Sequence, residues 1–278
     1  MTDRLFDLLA ASLRAEEPVA LAEVVEASEE AADLFGAKLV VRPSGDPVVA
    51  GSLGNADLDR VVGRDALGEL AAGLTVTRHY GRRGEAGERA VSVFIESFAP
   101  PPRMVIFGAV DFTAALARVA KVLGYHVTVC DARPVFATAA RFPMADELVV
   151  AWPDKYLDEQ GPSLGPRDAV CVLTHDPKFD VPAIVGALAT EVGYLGAMGS
   201  RRTSDDRDAR LRAAGVDDAR LDRVMAPIGL DIGARTPEET AVAICAEIIA
   251  LRTGRDAPSL KDRRGPIHAD SFGERASW

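Results

Sequence analysis

The chain is poor in the residues that carry self-contained chemistry. Its 278 residues include three cysteines (Cys130, Cys171, Cys245) and four histidines (His79, His126, His175, His268). The cysteines are odd in number, far apart and set in apolar stretches, without a CxxC pair. Buried reduced thiols are therefore expected, and a disulfide framework or a cysteine-built metal site is not. No uninterrupted apolar run approaches the roughly 20 residues that cross a bilayer. The segment Met1–Leu5 shows no basic, then apolar, then small-residue leader pattern, so a cytoplasmic protein with no membrane span is the expectation. Lysine and arginine (32) are outnumbered by aspartate and glutamate (42), for a net charge of −10. That balance argues against nucleic acid as the main partner, because phosphate neutralisation needs a basic face. One local cationic pocket remains compatible with it. A GxSxG elbow, a P-loop and an HExxH pair are missing as well, which leaves few candidates for acid–base catalysis.

What is present is an ordinary folded composition, 48% hydrophobic and 27% charged, long enough for two modest domains or one large one. Pro100-Pro101-Pro102 is the sharpest boundary, since prolines continue neither a ladder nor a helix interior. Before it the pattern is mixed and partly antiparallel. A helix over 3–14 precedes strands at Val19–Ala27 and Ala37–Arg42, a Ser44-Gly45-Asp46 turn and a returning Val48–Gly51. A helix near 56–72 and strands at Leu74–Tyr80 and Ala90–Ser97 follow. After the prolines the order is strand, helix, strand, which predicts a parallel sheet covered by helices. Strands are expected at Met104–Phe107, His126–Cys130, Glu147–Ala151, Ala169–Leu173 and Val192–Met198. Helices are expected at Phe112–Leu123, Pro182–Thr190 and Thr203–Ala213. A last helix starts at Thr236-Pro237 with Glu239 closing a capping box. The reading is an α/β chain: an N-terminal mixed α/β domain over 1–100, a Rossmann-like domain with a mostly parallel sheet over 101–254, and a polar tail over 255–278.

Four segments stand where ligands bind in such folds. In Phe107-Gly108-Ala109-Val110-Asp111, Gly108 fits the first position of a dinucleotide fingerprint, but Val110 and Thr113 fill the second and third. Asp111, near the helix N-terminus, would repel a phosphate or simply cap the helix. Asp131 stands where a ribose-binding acid belongs, or else opens a turn with Arg133. Tight NAD(P) binding is not expected. Thr174-His175-Asp176, with Asp180, ends another strand and reads either as ligand contacts or as helix caps. Gly199-Ser200-Arg201-Arg202-Thr203 enters a helix with freed backbone N–H groups, two hydroxyls and two arginines, a fit for phosphate or a pterin phosphate. Its plainer reading is a capping box of Thr203 and Asp206 beside solvated arginines. In Pro227-Ile228-Gly229-Leu230-Asp231-Ile232-Gly233, paired glycines suggest close packing against ligand or chain, or a tight turn.

Taken together, these segments resemble the XdhC/CoxI family over roughly 104–250. The resemblance rests on Phe107-Gly108-Ala109, Asp131-Ala132-Arg133, Arg141-Phe142-Pro143, Thr174-His175-Asp176, Gly196–Arg202, Pro227–Leu230 and Thr236–Glu239. It implies binding of the molybdenum cofactor (molybdopterin) and its handover, often with sulfuration, to a molybdenum hydroxylase client of the xanthine-dehydrogenase or carbon-monoxide-dehydrogenase type. The site it implies comprises Gly108, Asp131, Arg133, His175, Asp176, Gly199, Ser200, Arg201, Arg202, Thr203, Gly229 and Asp231. In the first half, Gly51–Asp59 and Gly84–Glu88 resemble the family's two glycine-rich elements, without the cysteines those usually carry. The alternatives are a regulatory or scaffold partner without cofactor and an NAD(P)-dependent oxidoreductase, and a homodimer is compatible with the sequence.

Overall fold

A computed structural model describes residues 2–43, 48–262 and 264. The chain divides at Pro100/Pro101 into two units, the first also taking in the described residues from Ser259 onward.

In the first unit, α1 (Thr2–Arg14) leads into β1 (Val19–Ala27), and a 3-10 turn at Glu29–Leu34 into β2 (Lys38–Val41). There follow β3 (Val48–Ser52), α2 (Ala56–Ala72), β4 (Val76–Tyr80) and β5 (Val91–Phe98). The five strands make one antiparallel sheet in the order β3-β2-β1-β5-β4. The period-2 alternation of β1 and β2 decides which residue faces which helix. Ala20, Ala22, Val24, Leu39 and Val41 pack under α2, whereas Val19 and Val40 pack with Leu5 and Leu9 of α1. Asn55 accepts a hydrogen bond from the Leu58 N–H (2.9 Å) and starts α2. The helix then buries Leu58, Val62, Ala66 and Leu70, one face at four-residue spacing. The expected Ser44-Gly45-Asp46 turn lies outside the described residues.

The second unit runs β6 (Arg103–Phe107), α3 (Asp111–Val122), β7 (His126–Cys130), β8 (Glu147–Val149), α4 (Pro153–Gln160), β9 (Ala169–Val172) and α5 (Pro177–Leu188). It continues with β10 (Tyr194–Ala197), α6 (Arg201–Ala213), α7 (Asp218–Leu221), β11 (Val224–Met225) and α8 (Pro237–Thr253). Its six strands form a parallel sheet, β11-β10-β9-β6-β7-β8. The expected adjacency of β6 and β7 holds, with Val105 opposite Thr128. Both faces are covered. Met104 and Ile106 point into a core that takes in Leu116, Ile244 and Ile248 of α3 and α8. Val105 and Phe107 point to the other side, among Tyr156, Ile184 and Leu211 of α4, α5 and α6. From β6 the chain steps outward one way, and from β9 the other way. The seam between β6 and β9 is therefore the topological switch point, where the carboxyl-end loops part and leave room for a ligand.

Two helices begin two or more residues earlier than the sequence suggests. The expected start of α5 at Pro182 is corrected to Pro177, because Asp176 caps it by accepting from the Lys178 N–H (3.0 Å), and Pro182 lies inside the helix. The expected start of α6 at Thr203 is corrected to Arg201, with Ser200 as cap. The helices α4 and α7 and the two-residue β11 add to the expected elements, being too short to show a periodicity. At α8 the capping box is complete: Glu239 N–H donates to Thr236 Oγ1 (3.1 Å) and Glu239 Oε2 accepts from Thr236 N–H (3.1 Å). Replacing such a cap costs about 1 kcal/mol. Thr236→Ala should lower the urea-unfolding free energy by about that amount, and an unchanged midpoint would show that the cap contributes nothing.

Candidate functional site

The site forms where the loops after β6, β7, β9 and β10 leave the sheet. Gly108 turns the chain after β6 with φ +114°, and a Cβ there would lie 2.5 Å from Thr174 Cγ2. Glycine is therefore required by conformation and by the closeness of the β9 loop. Thr113, at the third fingerprint position, is buried and donates to the Gly108 carbonyl (2.5 Å). Asp111 does not cap α3. Val110 occupies the cap position, and the Asp111 carboxylate points to solvent, 92% exposed, 3.4 Å from Arg141.

Asp131 is the anchor of this end of the sheet. Its buried carboxylate accepts from the Ala109 N–H (2.8 Å) and from the Arg133 N–H (2.9 Å), Nε (2.9 Å) and Nη2 (2.8 Å). Burial alone would raise its pKa, but the hydrogen bonds from Arg133 and from the two backbone amides outweigh that and lower it. Both oxygens are spent inside the protein, so the turn with Arg133 describes the residue and the ribose-acceptor role does not fit. Arg133 in turn lies over the Phe136 ring at 4.5 Å and 5.8 Å from the Phe179 ring. Arg141 donates to the Ala109 carbonyl (3.0 Å), so both backbone polar groups of Ala109 are held by charged side chains.

Across the switch point, His175 and Asp176 are exposed on the β9 loop. The pKa of Arg133 is raised, first by its hydrogen bonds to Asp131 and also by the charge of Asp176. Beneath them Thr174 Oγ1 donates to Asp180, and Asp180 faces Arg207 of α6 at 3.7 Å. Arg207 is 2% exposed and donates through Nη2 to the Met198 carbonyl, while its Nε and Nη1 find no acceptor among the described residues. Burial pushes Asp180 upward and Arg207 downward, against the attraction between them. This pair sits directly under Gly199, where a Cβ would come within 3.1 Å of Arg207 Nη2. Periodicity could have found Arg207, because Ser204, Arg207 and Leu211 share the buried face of α6.

At the mouth of α6, Ser200 Oγ accepts from the Thr203 N–H (3.2 Å) and contacts Thr203 Oγ1 (2.9 Å). The expected Thr203/Asp206 box is thereby corrected: Ser200 caps, and Thr203 is the third helical residue. Arg201 and Arg202 are exposed and make no ion pair among the described residues. On the next loop Gly229, at φ +94°, donates to Glu247 (2.9 Å), which also accepts from Tyr194 (2.6 Å). The Gly229 backbone abuts α8 at Ala243 and Ile244, which meets the close-packing reading, and Asp231 is exposed beside it. The structure thus gathers Gly108, Asp131, Arg133, His175 and Asp176 at the switch point. Through Asp180 and Arg207 it links them to Gly199–Thr203, with Gly229 and Asp231 one loop further out.

In the first unit the two glycine-rich elements also meet: Asn55 Nδ2 donates to the Arg82 carbonyl (2.9 Å) and Arg83 pairs with Asp57 (2.8 Å). Beside them a cavity of about 620 Å³ opens between Val61, Arg64, Arg78, Tyr80 and Arg89. All three cysteines are buried. Burial pushes the Cys130 thiol up to about 12 and that of Cys245 up to about 11, so neither offers a thiolate.

An open parallel sheet covered by helices on both faces, with a switch point between β6 and β9, defines a Rossmann-like unit. Residues 104–248 match the XdhC Rossmann domain and residues 12–81 the XdhC and CoxI family. The chain belongs to the XdhC and CoxI family. It is 35% identical over 59% of its length to a probable xanthine dehydrogenase subunit of Bacillus subtilis. With a molybdenum cofactor insertion chaperone, PaoD of Escherichia coli, it shares 26% identity over 60% of its length. The chain spans less than half the length of these relatives, 47% and 45%. The fold matches a crystal structure of a xanthine dehydrogenase from Bacillus halodurans at TM-score 0.53, covering 91% of this chain and 97% of that one at 21% identity. Among the described residues no helix is long and apolar enough to cross a membrane.

Asp131 supplies a test of this geometry. Asp131→Asn removes the charge from four hydrogen bonds but leaves an amide oxygen that still accepts some of them, and a charged hydrogen bond contributes about 1.5–3 kcal/mol net. A loss of about 2–4 kcal/mol is expected at pH 7. Because the folded pKa lies below the unfolded 3.8, this stabilisation is present above that value and fades as pH falls through the folded one. The gap between wild type and variant in denaturant unfolding should therefore narrow only below about pH 4; a gap constant down to pH 3 would contradict the assignment.

Proposed function

We propose that the protein is an accessory factor in the maturation of a molybdenum hydroxylase, holding the molybdenum cofactor through its pterin phosphate at Gly199–Thr203. The observation that carries this reading is the mouth of α6. Two exposed arginines without acidic partners among the described residues flank a capped helix N-terminus, in a chain of net charge −10. Backbone N–H groups and the dipole favour an anion there, and a guanidinium can clamp it with two parallel hydrogen bonds. The names of the relatives support a maturation role with a molybdenum-enzyme client.

The residues present fit the phosphate-bearing end of the cofactor and do not ligate its metal. The thiols are buried and protonated, and no group of three or more His, Cys, Asp or Glu is set to hold a metal among the described residues. The cofactor supplies the redox metal that the client uses. This chain's part is to bind, orient and release it. Ser200 fixes the first turn of α6, Arg207 supports that turn from below, and Arg201 and Arg202 hold the anion. NAD(P) is disfavoured by the sealed Asp131 and by the Asp111 charge.

Arg201→Ala and Arg202→Ala should each cut cofactor retention about tenfold, the loss of one charge-assisted pair, with an unchanged melting temperature. Ser200→Ala should cost about 1 kcal/mol of stability. Molybdenum analysis after gel filtration measures the first and calorimetry the second. Undiminished retention in both arginine variants would leave the regulatory, cofactor-free reading in its place.

A further inference from the structure

We infer that a stacked ladder of aromatic rings and arginines at the carboxyl edge of the parallel sheet is a binding platform for a planar heteroaromatic ring that bears an anionic group. The rungs are continuous. Trp152 stacks on Phe179, centroids 4.5 Å apart at 22°. Phe179 meets the Arg133 guanidinium at 5.8 Å, Arg133 covers Phe136 at 4.5 Å, and Phe136 meets Arg141 at 5.7 Å. Aromatics are only 6% of the chain, yet three of them line up here, from the three segments that follow β7, β8 and β9.

Two features separate this ladder from ordinary core. First, it is open. Trp152 is 47% and Phe136 38% exposed, beside an exposed Val135. Phe179, buried on the inner side, gives Trp152 a rigid backing. Second, Trp152 occupies the N-cap of α4 without a side-chain acceptor for that helix. Serine, threonine or aspartate would stabilise the cap. The helix is left with an uncapped start, and what tryptophan offers in exchange is a large flat surface.

Arg133 completes the recognition chemistry. Its Nε and Nη2 are held in the Asp131 carboxylate, so the guanidinium plane is fixed before any ligand arrives. Arg133 keeps N–H groups beyond the two held by Asp131, and Arg141, 3.4 Å from Asp111, stands at the far end of the ladder; these are donors for an anionic group at the edge of the rings. A base stacks on an aromatic face regardless of its identity, and arginine adds cation–π attraction and a partner for phosphate or carboxylate. A pterin and a purine nucleotide share this chemistry. The pterin source rests on the cofactor reading above, whereas the platform rests on the ladder alone.

The test uses the full chain and isothermal titration with three probes: pterin-6-carboxylate, AMP and ribose 5-phosphate. One aromatic probe should bind at least tenfold more tightly than ribose 5-phosphate, a typical contribution of one stacked ring. Trp152→Ser supplies a capping hydroxyl while removing the ring. It should abolish that preference with the fold retained, read as an unchanged far-UV circular dichroism spectrum, and Phe136→Ala should reduce the preference. Equal affinity for all three probes, or a preference intact in both variants, would overturn the platform. Preference for AMP over the pterin keeps the platform and removes the pterin source. If the preference holds while the protein retains no molybdenum cofactor, the carrier reading fails and the platform stands. If the cofactor is retained through Arg201 and Arg202 with no aromatic preference, the platform fails and the carrier reading stands.

Discussion

The Asp131 carboxylate organises the carboxyl end of the parallel sheet in the second unit. It ties the turn after β6 to the end of β7 through Ala109, and it fixes Arg133 in one plane. Arg133 then sets the positions of Phe136 and Phe179 by stacking. In a dinucleotide-binding sheet an acid at this point is kept free for a ribose hydroxyl. Here the same position serves the protein's own backbone, and the cost of burying a carboxylate is offset by four donors. The same residue type thus keeps the fold while its carboxylate is committed to internal contacts.

The second constraint lies under α6. Asp180 and Arg207 are both desolvated, and neither gains enough from the other to remove the penalty. A buried pair of this kind is poor evidence of stability by itself. What it does is fix geometry, because Thr174, Asp180, Arg207 and the Met198 carbonyl connect the β9 loop to the β10 loop in a single chain of polar contacts. The helix mouth and the switch point are held as one body by it.

Much of this is legible in the sequence, for reasons that can be stated residue by residue. The strands β6, β7 and β9 announce themselves as short apolar runs because both sheet faces are covered, and Thr236-Pro237 with Glu239 announces α8 because its cap chemistry is local. Gly108 and the Gly199–Thr203 segment are visible because turns and helix mouths demand particular residues at fixed spacing. The ladder is not visible. Trp152, Phe179, Arg133 and Phe136 are brought together only by the parallel order of three strands, and no spacing along the chain records that. Two prolines near α5 leave its start ambiguous, since either suits a first turn and only the Asp176 hydrogen bond shows which one takes it. Arg207 escapes notice because an arginine within a highly polar helix reads as solvated until its neighbours on the buried face are counted.

The contrast between the acidic whole and the bare arginine pair at α6 bears on kinetics. A chain of net charge −10 repels anions at long range, so an anionic ligand is drawn in only within about a Debye length, ~8 Å at physiological salt, of Arg201 and Arg202. If the α6 mouth binds its proposed ligand, capture would depend on ionic strength, and the contacts to backbone amides would depend on it less. On the proposed carrier role, such a protein would collect an anionic cargo slowly from dilute solution and surrender it to a surface of stronger positive potential. For a carrier, the direction of transfer would then be written in the difference in charge between donor, carrier and recipient.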